Sequence, residues 1–372
     1  MTNKRVVHVI TGLSIGGAES SLVNLLCNSD SSVSHTLIVL SNNFESSYGD
    51  RLSEANIPIK HCFLPSLPYP FSFFYQLFSI FLFIFSTKPD YIISHLYWSN
   101  IVCSIVSFLT PSSCHLVWLH NHMFLGRGSF IQRLLRSVLV FLTRLAPVTA
   151  VSPTIDVFDY HVSLGMKFTK SFYIGSFIKP VLESNFVSSE FSQRHRDLIF
   201  TVGFAARFSP IKRFDKLLAV AQSFPSIRFI VHAVVNTNNT LPLVLKDLAV
   251  CPNVQLIFNS TNLTQFFSDV HFLLVTSDSE SYSNVICESL ASSVPIISTP
   301  VGIAAHLDSE CSIISPDFSI SSLIDSTRLA QSFFLDYPSV FLDMRHSASQ
   351  YFSKNLSLES QILKYYSLLS SA

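Results

Sequence analysis

The chain has 372 residues, with 24 Lys and Arg against 24 Asp and Glu. A composition that is 48% hydrophobic and only 13% charged excludes intrinsic disorder, which needs low hydrophobicity or high net charge. Neutrality argues against a general nucleic-acid coat, and no nucleic-acid partner is expected. The length favours two domains over one. The 34 phenylalanines either fill cores or face a membrane.

The first segment, Met1 to Arg5, leads into an apolar run that Gly12, Gly16 and Gly17 interrupt, so no secretion signal is expected. Val6 to Ile10 reads as a β-branched strand, Glu19 to Cys27 as a helix, and Thr36 to Leu40 as the next strand. The apolar run 71–85 lies between Pro70 and Lys88-Pro89 and contains Gln76. It is shorter than the roughly 20 residues a membrane span requires, and reads as a buried or interfacial helix. Tyr91 to Ser94, Leu116 to Leu119 and Val148 to Val151 are further strands.

Between Asp90 and Asp156 there is no acidic residue, while Arg127, Arg133, Arg136 and Arg144 fall in that stretch. Residues 129–145 set Arg133, Arg136 and Arg144 among apolar residues at helical spacing. Such a helix can lie on an anionic bilayer, or it can be an ordinary domain helix with a solvated arginine edge.

Segment 176–197 is polar and Ser-rich and suits an interdomain connection. The second half then repeats the scheme. Strands are expected at Leu198 to Val202, Arg228 to Val231, Val254 to Phe258, Phe272 to Val275 and Ile296 to Ser298, with a helix over Phe214 to Phe224 and another over 355–372. Strands alternating with helices imply parallel sheets with crossover helices, the α/β class. Seven cysteines without a CxxC pair indicate neither a disulfide framework nor a zinc site, and a reducing cytosol is the simplest compartment.

Three motifs can carry chemistry. Gly12-Leu-Ser-Ile-Gly16-Gly17-Ala-Glu19 follows a strand and opens a helix, where backbone N–H groups can approach an anion. A tight structural turn explains the same glycines. Arg207-Phe-Ser-Pro-Ile-Lys212 is expected on a loop after the strand ending at Val202. An arginine fork and a lysine point charge at that spacing can neutralise a diphosphate, or can be two solvated surface cations. Glu280-Ser-Tyr-Ser-Asn-Val-Ile-Cys-Glu288 puts Glu280 on a loop and Glu288 about two turns into the helix behind it. There a carboxylate can accept hydrogen bonds from a ribose diol, and N–H groups at 281–283 can meet a phosphate or sugar.

The order of these motifs, with a VPII strand after the last, resembles family 4 of the retaining, nucleotide-sugar-dependent glycosyltransferases with the GT-B fold. Further segments resemble the same family. They are Lys88-Pro-Asp-Tyr-Ile-Ile-Ser-His95, Leu116-Val-Trp-Leu-His120-Asn121, Ala150-Val-Ser152, and Ser289-Leu-Ala-Ser-Ser-Val-Pro-Ile-Ile.

The resemblance implies two Rossmann-like domains facing across a deep cleft. The acceptor-side domain would be 1–175 and the nucleotide-sugar domain 176–354, with helix 355–372 returning to the first. It implies that Arg207 and Lys212 bind the donor diphosphate in place of a metal, and that Glu288 holds the ribose. Glu280, with Ser281, Tyr282, Ser283 and Asn284, would contact the transferred sugar. The Gly16-Gly17 loop would face diphosphate or acceptor, and His120 the anomeric centre. Expected catalytic residues are therefore His120, Glu280, Arg207 and Lys212.

No permanent cofactor is expected. The donor substrate would be a UDP-sugar first and a GDP-sugar second. The acceptor would be a lipid-linked, lipopolysaccharide or polysaccharide sugar of the cell envelope. The enzyme would be cytoplasmic and peripheral on the inner face of the membrane, touching it through Arg133, Arg136 and Arg144. Departures from the pattern are Ser281 and Ser293 in place of glycines, Ile230 to Val235 without the GxG loop, and Ile174-Gly-Ser-Phe177 where NGxD is usual. A non-catalytic sugar-nucleotide-binding partner of another transferase and a GT-B sugar-nucleotide epimerase are the alternatives.

Overall fold

The structure is a computed structural model that describes residues 4–64, 70–110, 113–120, 130–146, 148–179, 199–235, 241–260 and 263–371. The chain forms two compact units, one of 1–177 with 358–372 and one of 178–357.

The first unit has a parallel sheet in the order β3-β2-β1-β4-β5-β6-β7. The strands are β1 Lys4–Ile10, β2 Val33–Val39, β3 Ile59–His61, β4 Tyr91–His95, β5 Cys114–Trp118, β6 Thr149–Ser152 and β7 Lys170–Tyr173. Its helices are α1 Gly17–Asn28, α2 Ser46–Glu54, α3 Phe71–Thr87, α4 Tyr97–Leu109, α5 Phe130–Leu145 and α6 Ile155–Ser163.

Successive strand residues face opposite sides of a sheet, and β1 is buried on both. Val7 and Val9 pack under α3 and α4, while Val6 and Ile10 pack toward α1. Burial on both faces is why the strand reads as a continuous apolar run. Helix α3 ends where Lys88 turns left-handed, at φ 45°, and donates its N–H to Ile84 O at 2.8 Å; Pro89 cannot continue the helix. Among the described residues no helix is long and apolar enough to cross a membrane.

The second unit has the parallel order β10-β9-β8-β11-β12-β13. These strands are β8 Thr201–Arg207, β9 Arg228–Val234, β10 Val254–Phe258, β11 Phe272–Val275, β12 Ile296–Ser298 and β13 Ser312–Ile314. Helices α7 Phe214–Ser223, α8 Leu243–Val250, α9 Leu263–Asp269, α10 Asn284–Ala291, α11 Ile320–Leu335 and α12 Pro338–Tyr351 cover its two faces.

The last helix, α13 Leu358–Ser371, packs into the first unit. Tyr365, Leu368 and Leu369 join a core with Val6, Ile93, Leu116 and Trp118. Tyr91 Oη donates to Leu369 O at 2.6 Å and Gly175 N to Gln361 Oε1 at 2.8 Å.

Two sequence expectations shift. Strand β8 does not end at Val202 but runs to Arg207, because its pairing with β9 continues to Arg207 opposite Val234. Glu288 is the fifth residue of α10, little more than one turn in. Most of the Ser-rich connection, from 180 to 197, lies outside the described residues.

Candidate functional site

In open parallel sheets, ligands bind outside the carboxyl ends of the strands where the strand order reverses. In the second unit that reversal lies between β8 and β11, and the Arg207 and Glu280 motifs leave from these two strands.

Arg207 is the final residue of β8 and exposed. Lys212 closes a 3₁₀ turn, Pro210–Lys212, and its Nζ donates to the Glu280 carboxylate. Ser277 Oγ donates to the same Glu280 oxygen at 2.7 Å. One cation and one carboxylate of the two motifs are thus joined.

A second set of charges holds the loops in place. Arg213, left-handed at φ 52°, pairs with Asp278 at 2.7 Å and with Asp215 through two bonds of 2.8 and 2.7 Å. Lys216 is only 2% exposed and donates to Asp278 at 2.6 Å. Burial alone would raise the Asp278 carboxyl, but the hydrogen bonds and charge of Lys216 and Arg213 outweigh it and hold it below the usual range.

The backbone is joined as well. Asp278 N donates to Ile211 O at 2.9 Å, and Thr276 Oγ1 to Lys212 O at 2.8 Å. Behind Glu280, Gly302 adopts φ +50°, and a Cβ there would meet Tyr282 O at 2.9 Å and Glu280 Cβ at 3.0 Å. Only glycine lets this turn close on the glutamate loop, where Ile303 N donates to Tyr282 O at 3.1 Å.

Tyr282 turns its side chain into the core, so only its backbone faces the loop. Ser283, at φ 83°, caps α10 without a side-chain cap bond. Its hydroxyl is buried without a hydrogen-bond partner among the described residues. With Ser281 before it and Asn284 as the first helical residue, this is a helix start, where the backbone dipole favours negative charge. Glu288 is partly buried with no hydrogen-bonding or ion-pair partner described for its carboxylate, and burial pushes it up to about 7. A desolvated carboxylate without a cation is poised to accept hydroxyl hydrogen bonds.

In the first unit the strand order reverses between β1 and β4. Gly16 precedes α1 and Gly17 is its first residue. His120 follows β5, with its ring parallel to Trp118 within 6° and its Nε2 2.9 Å from His95 Nδ1. Burial pulls it down to about 3, so it is neutral at physiological pH. Asn121 and Arg127 lie outside the described residues. On α5, Arg133 is exposed, whereas Arg136 donates to Tyr160 Oη at 2.9 Å and Arg144 to Gly165 O at 2.9 Å.

Arg213, Lys216, Asp278 and Gly302 carry no role in the sequence analysis. Their one sequence signal is that they sit beside the two motifs and just after the VPII strand. Among the described residues no group of three or more His, Cys, Asp and Glu is placed to hold a metal ion.

Residues 199–328 match the family model described as glycosyl transferases group 1. No protein of curated function is matched by sequence. Among solved structures, the chain is similar to HepE from Anabaena in complex with UDP and glucose, with 15% identity, a TM-score of 0.80, and 99% of this chain and 100% of that one covered. It is similar to sucrose-phosphate synthase from Thermosynechococcus elongatus, with 12% identity, TM-score 0.75, and 99% and 100% covered. The lipopolysaccharide outer core galactosyltransferase WaaB in its apo form gives 13% identity, TM-score 0.72, and 98% and 99% covered. The fold is therefore GT-B over the whole chain.

The burial of Glu288 has a stability consequence. Its folded-state value near 7 lies above the ordinary glutamate value of 4.5. The folded state is therefore unpenalised below about pH 4.5, loses stability as pH rises from there to about 7, and carries the full penalty above it. Glu288→Gln should stabilise the free protein by about 2–3 kcal/mol at pH 8 and by nothing measurable near pH 4.5. Urea titrations at both pH values check this; a gain equal at both would show that the carboxylate is not desolvated.

Proposed function

We propose that this GT-B chain is a retaining glycosyltransferase, needing no metal, that moves a sugar from a nucleotide diphosphate sugar to a cell-envelope glycan acceptor. The observation that carries the reading is the joining of Lys212 and Glu280 at the β8–β11 reversal, on loops that leave from Arg207 and lead to the desolvated Glu288. Each group matches one part of a sugar nucleotide. Arg207 and Lys212 take the diphosphate, Glu288 the ribose diol, and Glu280 with the 281–284 backbone the sugar. The Gly16-Gly17 loop meets diphosphate or acceptor, and His120 hydrogen-bonds the sugar.

HepE is described in complex with UDP and with UDP-glucose, which favours a UDP-sugar over a GDP-sugar as donor here. WaaB is a lipopolysaccharide transferase, which supports a lipid-linked, lipopolysaccharide or other polysaccharide acceptor.

In the reaction, the bond from the anomeric carbon to the diphosphate oxygen breaks and negative charge grows on the leaving group. Lys212 exchanges its Glu280 partner for that charge, and Arg207 supplies the second cation. Preorganised cations aimed at developing charge are the largest catalytic contribution expected here. The acceptor oxygen forms the new bond on the same face, and its proton passes to a leaving diphosphate oxygen. The side chains then need supply no separate base, and Glu280 and Glu288 act as binding groups. Lys212→Ala should leave the fold intact and lower transfer at least about 100-fold, measured as donor consumption with an isolated glycolipid acceptor. Transfer at the wild-type rate would remove the diphosphate assignment.

The first unit also carries an apolar surface suited to a membrane. Helices α3, α4 and α5 lie side by side. They expose Phe71, Phe74, Phe78 and Phe85, then Phe108, then Phe141, and α5 also exposes Arg133. We read this layer as the face by which a cytoplasmic enzyme rests on the inner leaflet, with phenylalanines leading and Arg133 an exposed cation. Phe74→Ser with Phe78→Ser and Arg133→Glu should move the protein from pellet to supernatant in sedimentation with anionic vesicles. Unchanged pelleting would discard the membrane reading while leaving the transferase reading intact.

A further inference from the structure

The first unit contains a line of four histidine rings that the reaction scheme does not use beyond its last member. His35 lies on β2, His8 on β1, His95 on β4, and His120 just past β5. Register explains their alignment. His35 is opposite Val6, two residues before His8. His8 is opposite Ile93, two before His95. His95 is opposite Trp118, two before His120. A step of two residues keeps side chains on one face of a sheet, so each strand crossed toward β5 carries the line one step nearer the carboxyl ends.

The rings are joined by hydrogen bonds in one sense throughout. His8 Nε2 is 3.1 Å from His35 Nδ1, His95 Nε2 is 3.1 Å from His8 Nδ1, and His120 Nε2 is 2.9 Å from His95 Nδ1. Tyr365 of α13 stands over the line, with Oη 3.4 Å from His8 Nε2, and Trp118 stacks on both His95 and His120. Burial lowers the affinity of all four rings for a second proton, His35 to about 4 and His120 to about 3.

A neutral imidazole has one N–H donor and one acceptor nitrogen. Three bonds joined head to tail then allow two proton patterns, with every ring protonated on Nδ1 or every ring on Nε2. The far end distinguishes them. His35 Nε2 is buried with no partner among the described residues. The second pattern would leave there a buried, unpaired N–H, whereas the first leaves only a lone pair. Orphaned buried N–H groups are the rarer case, so the first pattern is favoured. In it, His120 carries its proton on Nδ1, the ring nitrogen that the line leaves over.

We propose that His8, His35 and His95 are positioning residues that fix the tautomer of His120, so that its Nδ1–H is presented as a hydrogen-bond donor to the sugar. The assignment rests on the role given to His120 above. It also gives Tyr365 a part, as the ring that the returning helix sets against His8. The tautomer of a histidine is set by the bond its other nitrogen makes, and here that bond is set in turn by two further rings.

The test uses the full chain labelled with ¹⁵N-histidine, with the His120 signals assigned by His120→Asn. Imidazole ¹⁵N shifts report which nitrogen holds the proton, and no substrate is needed. In the wild type, His120 should be protonated on Nδ1. His8→Ala and His35→Ala each open space for a water that can accept from the freed Nε2–H of the next ring, and should each mix the two tautomers at His120. They should also lower kcat roughly tenfold with little change in donor KM.

His35→Asn should behave as wild type, because its amide N–H can replace Nδ1–H toward His8. If His8→Ala does not fold, the His35 pair carries the same comparison. A wild-type His120 protonated on Nε2 would overturn the proposal. So would a folded His35→Ala whose His120 tautomer and kcat match those of His35→Asn. A chain that transfers no sugar yet shows the expected tautomers would refute the transferase reading and not this one.

Discussion

Two loops with opposite charges are held together at the point where the second sheet reverses its strand order, and the proposed chemistry depends on that joint. A lysine and an arginine close together repel each other unless something fixes them, and the fixing is electrostatic. Asp278 is gripped by Arg213 and by the buried Lys216, while Glu280 takes Lys212. Removing Asp278 would strand a buried ammonium, a far larger penalty than the loss of a surface ion pair. On the proposed reading, binding a diphosphate would exchange one anionic partner of Lys212 for another and need not create a cationic pocket from nothing.

The two units use the same topology for different ends. In the second, the reversal between β8 and β11 gathers charge. In the first, the reversal between β1 and β4 is crossed by neutral histidines whose polar atoms satisfy one another. Buried polar groups are tolerable when hydrogen-bonded and costly otherwise, and the line meets that condition at every ring nitrogen between His35 Nδ1 and His120 Nε2. Helix α13 completes the cover by bringing Tyr365 over His8 and His35, so the last residues of the chain help dry a site built from the first hundred or so.

How much of this was legible in the sequence depends on range. Strands such as Val6 to Ile10 and Phe272 to Val275 are marked by local β-branched and apolar runs, and the motif loops after them follow. The end of β8 was not legible, since Ala205, Ala206 and Arg207 carry no strand signature and are held by pairing with β9. The Arg213–Asp278 pair spans 65 residues, and no local pattern announces it. The histidines were visible one at a time, but their alignment needs the strand registers. Ser293, where the family pattern has glycine, sits at φ 59° just after α10. The missing glycine was legible, and its conformational reason was not.

The central claim is that the second unit recognises a nucleoside diphosphate through Arg207 and Lys212. The most direct measurement is the thermal unfolding midpoint of the full chain with UDP, UMP and uridine, in the wild type and in Lys212→Ala. A ligand bound only by the native state raises the midpoint. The account expects UDP to raise it well above UMP and uridine in the wild type, and that advantage to vanish in the variant. Equal shifts from UDP and uridine, or a UDP shift untouched by Lys212→Ala, would contradict it.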